Sequence, residues 1–177
     1  LAWRDGFVHY SSAHIEDLPN HFAFVKKIAE SGCKHIAVMG SMHEVGYWEG
    51  AIDEKTPCNP MSMYGIAKNA LRQAIMLYTK GKDVNVHWLR AYYIYGDDAR
   101  GSSIFAKLCQ AVEDGKTEFP FTTGKNKYDF IHITDLAEQI MWASIQSEYN
   151  GVINVCTGEP MSLADRVEAY IKENNMN

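Results

Sequence analysis

The sequence predicts an α/β fold with a doubly wound parallel sheet. Two observations predict it. Apolar runs of strand length, near 34–40, 84–92, 130–133 and 152–156, alternate with runs of helical period, near 18–31, 61–80, 104–112, 134–145 and 163–173. A chain of 177 residues that is 46% hydrophobic also has enough apolar surface for a core of its own.

Each element has a local reason. Leu1-Ala2-Trp3 reads as the end of a strand, and 4–16, polar and broken by Gly6, Ser11 and Ser12, as a loop. Asp17 stands where a helix cap is needed and Pro19 suits a first turn; Phe22, Val25, Ile28 and Ala29 keep helical spacing until Gly32. The strand 34–40 ends at Ser41, and the loop after it carries Met42, His43, Glu44, Tyr47 and Trp48. Ligands sit beyond the carboxyl ends of parallel strands, so Ser41 to Glu44 stand where chemistry is expected. The helix 61–80 follows Pro57 and Pro60, buries a face including Ile66, Ala67, Leu71 and Ile75, and stops at Gly81. Strand 84–92 offers Val86, Trp88 and Leu89 to the core, with Arg90 as a structural pairing residue. Residues 93–102 form a loop, 104–112 an amphipathic helix, 119–121 an edge strand and 124–127 a hairpin-like turn. After strand 130–133, Thr134 or Asp135 caps a helix to Ile145; after strand 152–156, Ser162 caps the helix 163–173.

Composition excludes several classes. Lys and Arg number 17 against 22 Asp and Glu, a formal charge of -5, and no basic stripe suggests nucleic acid as a partner. No apolar run reaches the length of a membrane-spanning helix, so no membrane partner is expected. Cys33, Cys58, Cys109 and Cys156 are widely spread and read as reduced thiols of a cytoplasmic protein. His9, His14 and His21 have no matching Cys or carboxylate pattern and read as loop and helix-face histidines, with no metal expected.

The stretch with the most chemical content is Tyr64-Gly65-Ile66-Ala67-Lys68. Residues four apart share a helix face, so Tyr64 and Lys68 converge on one volume. A phenol with a reference pKa near ~10 is a poor base at neutral pH, and an ammonium beside it is expected to favour the phenolate. The Tyr can then trade a proton with a substrate hydroxyl, which is the chemistry of alcohol–ketone interconversion.

The flanks of this stretch carry a family resemblance. Strand 33–40 runs into Ser41-Met42-His43-Glu44-Val45-Gly46-Tyr47, followed by Asp53-Glu54, Thr56-Pro57, Pro60 and Tyr64-Gly65. Downstream stand Leu89-Arg90-Ala91-Tyr92-Tyr93-Ile94-Tyr95-Gly96, then Tyr128-Asp129-Phe130-Ile131-His132-Ile133-Thr134-Asp135-Leu136-Ala137, then Val152-Ile153-Asn154-Val155-Cys156-Thr157-Gly158. Order and spacing resemble the extended short-chain dehydrogenase/reductase family of nucleotide-sugar epimerases, dehydratases and ketoreductases over nearly the whole chain. Counting back from Val45, the family's Ser/Thr position falls on Met42, with Ser41 as the neighbouring hydroxyl. The two positions that are Asp and Glu in 4,6-dehydratases are His43 and Glu44 here, and the Arg before Asp-Phe is Tyr128, beside Lys127.

The resemblance implies a Rossmann-like doubly wound sheet with part of a small substrate-binding subdomain. Residues 1–115 would belong to the NAD(P)-binding domain and 116–177 to substrate-side loops with a returning strand and helix. It implies a longer protein, whose glycine-rich nucleotide turn would precede Leu1. The cofactor would be NAD or NADP, held near Leu1, Ala2, Trp3, Tyr64, Lys68, Tyr92 and Tyr93. The substrate would be a nucleotide-diphosphate sugar near Met42, His43, Lys125 and Lys127. Tyr64, Lys68, Ser41 and Glu44 would be catalytic in a 4-epimerase or 4-ketoreductase. The alternatives are a 4,6-dehydratase with Glu44 as base, or a non-catalytic nucleotide-binding relative. Members of the family pair through the Tyr-Lys helix, so a homodimer is expected.

Overall fold

The structure, a computed structural model, describes residues 3–96, 101 and 103–176. In chain order the elements are α1 (Ala13–Glu16), α2 (Leu18–Glu30), β1 (His35–Ser41), a 3-10 turn (Met42–Glu44), α3 (Met63–Thr79), β2 (Asn85–Ala91) and β3 (Tyr93–Tyr95). They continue with α4 (Ile104–Glu113), β4 (Lys127–Tyr128), β5 (Phe130–His132), α5 (Ile133–Ile145), β6 (Gly151–Val155), β7 (Met161–Ser162) and α6 (Leu163–Glu173). Two compact units result: Leu1–Ala91 with Gln139–Val155, and Tyr92–Glu138 with Cys156–Asn177.

The first unit holds a parallel sheet in the order β1-β2-β6. Val38 pairs with Trp88, Gly40 with Arg90, and Leu89 with Ile153. The central strand β2 is buried on both faces, while β1 alternates, with Ile36 and Val38 buried and His35 and Ala37 exposed. Leu71 and Ile75 of α3 close on Ile36, Val38, Val86 and Trp88, with Val25 of α2 in the same cluster. Truncating a buried leucine such as Leu71 to alanine costs about 2–5 kcal/mol.

Two details of this unit depart from expectation. Asp17 flanks α2 but makes no side-chain cap; its carboxylate instead takes the Arg4 guanidinium at 3.0 Å. Residues 13–16 form a helical turn where a loop was expected, and that turn buries His14. The start of α3, by contrast, has a hydroxyl cap: Ser62 Oγ accepts from Gly65 N at 3.1 Å.

In the second unit β3 pairs in parallel with β5, and β4 pairs antiparallel with β7. Strand β5 was read in the sequence as 130–133, but β3, β4 and β7 were missed, because so few residues carry no periodicity to read. The edge strand expected at 119–121 does not form; Pro120 has no N–H to give, and Phe119 packs into a cluster with Phe105, Leu108, Phe130, Val167 and Tyr170. Strand β5 stops at His132 and α5 begins at once with Ile133. Asp129 stitches this unit together, accepting from Thr157 N (2.8 Å), Thr157 Oγ1 (2.8 Å) and Gly158 N (2.7 Å). No helix among the described residues is long and apolar enough to cross a membrane.

Candidate active site

The site of the first unit starts where β1 ends. Ser41 is the last strand residue and the cap of the 3-10 turn. Its Oγ accepts from His43 N at 3.3 Å, and its own N–H donates to Glu44 Oε1 at 2.7 Å. A hydroxyl that accepts from a backbone N–H keeps its proton to donate elsewhere. The phenol of Tyr64 is where it acts.

Helix α3 brings Tyr64 and Lys68 to the same place. Its first turn lies against the turn below: a Cβ on Gly65 would stand 2.3 Å from His43 O, so the residue after Tyr64 has to be glycine for the helix to approach this closely. The Tyr64 ring is half-buried among aromatics. His9 stacks on it at 5.3 Å, while Trp3, His14 and His43 meet it edge-on at 6.0, 5.3 and 5.7 Å. Lys68 is buried; its Nζ donates to Met39 O at 2.8 Å and lies 4.1 Å from the Trp3 ring and 5.7 Å from the Tyr64 ring.

The protonation of this pair differs from the expectation. Burial pushes the Tyr64 phenol up, hydrogen bonding from Ser41 pulls it down, and the Glu44 charge adds to the rise. The net direction is upward, whereas Lys68 was expected to lower it. The amine itself is drawn down to about 8 by burial, with the Glu44 charge opposing. The reason is geometric: Nζ is committed to a carbonyl of β1 and lies against the aromatic faces. At neutral pH Tyr64 is therefore a proton donor in this state.

Glu44 points the other way. It is fully buried, and its carboxylate accepts the Trp88 indole N–H at 2.8 and 3.0 Å. Arg72 Nε and Arg90 Nη2 each lie 3.5 Å from Oε2. A Cβ on Gly40 would meet Trp88 Nε1 at 2.1 Å and Glu44 Oε1 at 2.6 Å, so the backbone of β1 lies directly on this cluster. The sequence marked Glu44 and Arg90 separately; nothing in their spacing of 46 residues said that they meet.

The other expected site residues are distributed as follows. Met42 and His43 are half-buried in the 3-10 turn. Burial and the charge of His9, whose ring is 4.3 Å away, hold His43 below the ordinary imidazole value. Trp3 meets the Tyr64 ring edge-on; Leu1 and Ala2 lie outside the described residues. Tyr92, Tyr93, Lys125 and Lys127 belong to the second unit. There Tyr93 lies against Tyr128, with ring centroids 4.1 Å apart and the planes tilted by 48°, burial pushes its phenol up, and both lysines are exposed, Lys127 within β4. In the expected loop 93–102, residues 97–100 and 102 lie outside the described residues. Sequence reasoning read His14 as a loop or helix-face histidine with no particular partner; it is buried and accepts the Trp3 indole N–H. Among the described residues no group of three His, Cys, Asp or Glu is placed to hold a metal ion.

The chain has relatives of known family and fold. Residues 20–156 match the NAD dependent epimerase/dehydratase family. The chain belongs to that family. Among its relatives is the dTDP-6-deoxy-L-talose 4-dehydrogenase (NAD(+)) of Aggregatibacter actinomycetemcomitans, 45% identical over 177 residues, which cover 99% of this chain and 65% of that protein. A probable UDP-arabinose 4-epimerase 3 of Oryza sativa subsp. japonica is 28% identical over 182 residues, covering 89% of this chain and 45% of the relative. The chain thus spans between about half and two thirds of these relatives. The same fold is seen in the UDP-glucose 4-epimerase of Thermotoga maritima, solved with UDP-glucose (TM-score 0.81, 16% identity, covering 100% of this chain and 60% of that one). It is seen again in the Bordetella bronchiseptica enzyme WbmG, solved with NAD (TM-score 0.76, 19% identity, 98% and 52%).

Proposed function

We propose that the protein is an NAD(P)-dependent oxidoreductase acting at C4 of a nucleotide-diphosphate sugar, with a dTDP-linked 6-deoxy sugar as the first substrate class. The observation that carries this reading is the convergence of Ser41, Tyr64 and Lys68 at the carboxyl end of β1. The 45% identity to a dTDP-6-deoxy-L-talose 4-dehydrogenase supports the choice of sugar.

The donor set suits a nicotinamide ribose. Lys68 has three N–H donors and spends one on Met39 O, and His21 Nε2, in a ring stacked on Trp3 at 4.2 Å, is buried without a hydrogen-bond partner. Bound there, the nicotinamide supplies the carbon that takes up or releases the hydride. Lys68 and Tyr64 would hold the ribose. Ser41 would orient the sugar hydroxyl or carbonyl, and Tyr64 would give a proton to the C4 oxygen in reduction and take it back in oxidation.

Glu44 favours the reductase over the dehydratase. A dehydratase base has to reach a carbon-bound proton, and this carboxylate is engaged by Trp88, the Ser41 N–H and two guanidinium groups. We assign it to the support of the Ser41 turn. Lys125 and Lys127 are retained as candidate contacts for the diphosphate on the ground of charge and exposure.

We also infer a homodimer and a cytoplasmic setting. Ile66 and Leu77 of α3 are 43% and 75% exposed and Phe24 of α2 is 53% exposed, apolar positions on two neighbouring helices that a second copy would cover. Leu77→Lys should convert dimer to monomer in sedimentation experiments. The cytoplasmic setting rests on the four widely spread cysteines of the sequence, which show no pairing pattern.

The test is turnover. The full-length protein given NAD+ and dTDP-6-deoxy-L-talose should form NADH, and Tyr64→Phe should lower the rate by about a hundredfold or more. Absence of hydride transfer with dTDP- and UDP-sugars alike would overturn the reading.

A further inference from the structure

Lys68 is buried, yet its hydrogen bond is to a neutral carbonyl, Met39 O. Such an ammonium needs another source of stabilisation. The Trp3 ring supplies one, with its centroid 4.1 Å from Nζ, well inside the range at which a ring's negative face attracts a cation.

The indole is held firmly enough to play that part. Its Nε1, which can only donate, bonds to His14 Nδ1 at 2.8 Å. That fixes the His14 tautomer: Nδ1 accepts, so the proton sits on Nε2, which donates to Val8 O at 3.0 Å. His14 is 1% exposed and has no room to turn. His21 stacks flat on the indole, 9° from parallel, and Tyr64 meets it edge-on.

We propose that Trp3, locked by His14, is a positioning residue for Lys68: its face keeps the buried amine charged and holds it one helical turn from Tyr64. The groups that face the amine are Met39 O from β1, the Glu44 charge from the 3-10 turn, Tyr64 from its own helix, and His21 from α2. Glu44 favours the ammonium; His21, held low by burial and by the Lys68 charge, does not compete for the proton. Burial draws the amine to about 8, and loss of the ring would draw it lower. The catalytic consequence rests on the role given to Lys68 above; the effect on the amine does not.

The experiment is acylation of the full-length protein by acetic anhydride across a pH series, with the extent of reaction at Lys68 read by mass spectrometry. The titration midpoint is expected near 8 in the parent. In Trp3→Leu it should fall by about one unit, and in Trp3→Phe it should return most of the way. His14→Leu, which frees the indole, should lower it; His14→Gln, whose amide oxygen can accept the indole N–H, should not. An unchanged midpoint in Trp3→Leu overturns the proposal. Should that variant not fold, fluorinated tryptophans in place of all four tryptophans weaken the ring face without changing its shape. A midpoint that falls in step with fluorination supports the proposal, and a flat series overturns it. A shifted midpoint with no matching shift in the alkaline limb of turnover upholds Trp3 as a partner of the amine and removes Lys68 from the reaction.

Discussion

The Glu44 carboxylate accepts the indole N–H of Trp88 at 2.8 Å, joining the turn after β1 to the middle of β2. With Arg72 and Arg90 at 3.5 Å, one negative and two positive side chains share a site in which Glu44 and Arg90 are buried and Arg72 is partly exposed. Removing the single negative charge leaves the buried Arg90 guanidinium without its counter-charge and beside a second guanidinium, Arg72. Glu44→Gln is therefore expected to cost about 3–5 kcal/mol of stability, read by urea unfolding. Trp88→Phe, which removes one donor and keeps the apolar bulk, should cost about 1–2 kcal/mol. If Glu44→Gln unfolds like the parent but loses turnover, the carboxylate acts in the reaction and its assignment as support is wrong.

Burial of Lys68 carries a stability cost that depends on pH. Its folded pKa is about 8, below the 10.5 of the unfolded chain. Between those values the unfolded state holds the extra proton, so stability from this group rises with pH across that window and is lowest below 8. Lys68→Met removes the buried charge and keeps the chain length. The variant should be more stable than the parent near neutral pH by about 1–2 kcal/mol, after allowing for the lost bond to Met39 O and the lost contact with Trp3. The advantage should shrink as pH rises from 8 towards 10.5. Thermal unfolding at a series of pH values measures it, and a variant less stable than the parent at pH 7 would contradict it.

The main elements were legible because their signals are local and strong. The alternation of 34–40, 61–80 and 84–92 carries the parallel sheet, and Tyr64 and Lys68 at a spacing of four meet on one face of α3, with the amine 5.7 Å from the ring. Ser162 capping α6 was read from one residue type, and Ser162 Oγ accepts from Asp165 N at 3.0 Å. What was not legible depended on partners far along the chain. Asp17 has the residue type of a cap but finds Arg4 first, and an ion pair at 3.0 Å displaces the cap. His14 sits in a polar stretch, yet a single indole N–H draws it into the core. The protonation of Tyr64 was misread for a related reason. Helical spacing says that Lys68 is near, but not that its Nζ is turned to Met39 O.

A second pH effect comes from His87, which is fully buried on β2 with Nε2 on Tyr149 O at 3.0 Å and Nδ1 without a partner. Burial is the largest cause that holds it below 6.5, opposed by the bond to Tyr149 O, while the nearby His35 lowers it further. A histidine with a depressed folded pKa binds its proton more readily when unfolded. Its contribution is intact above 6.5 and is lost as pH falls below that value. His43 and His21 are depressed as well and act in the same sense. The melting temperature should therefore fall on acidification below about pH 6.5, and His87→Leu should flatten that fall. A melting temperature that holds steady or rises on acidification would contradict it.

In the second unit Asp129 is the corresponding junction, and its chemistry allows a sharper test. One carboxylate oxygen takes both the N–H and the hydroxyl of Thr157, and the other takes Gly158 N at 2.7 Å. Asn in this position can accept with only one of its two terminal atoms, so Asp129→Asn sets an amide N–H against the Gly158 N–H. The cost should be about 2–3 kcal/mol, while Thr157→Val, which removes only the hydroxyl bond, should cost about 1 kcal/mol. A second readout comes from Cys156, whose thiol is pushed up by burial and then by the Asp129 charge, with a bond from Gly158 opposing. Neutralising Asp129 removes one of the two upward causes. Asp129→Asn should therefore speed the reaction of Cys156 with a thiol reagent at neutral pH in the folded protein, and Thr157→Val should leave that rate near the parent's. Equal rates in Asp129→Asn and the parent, together with equal stability, would show that the carboxylate does not hold this turn.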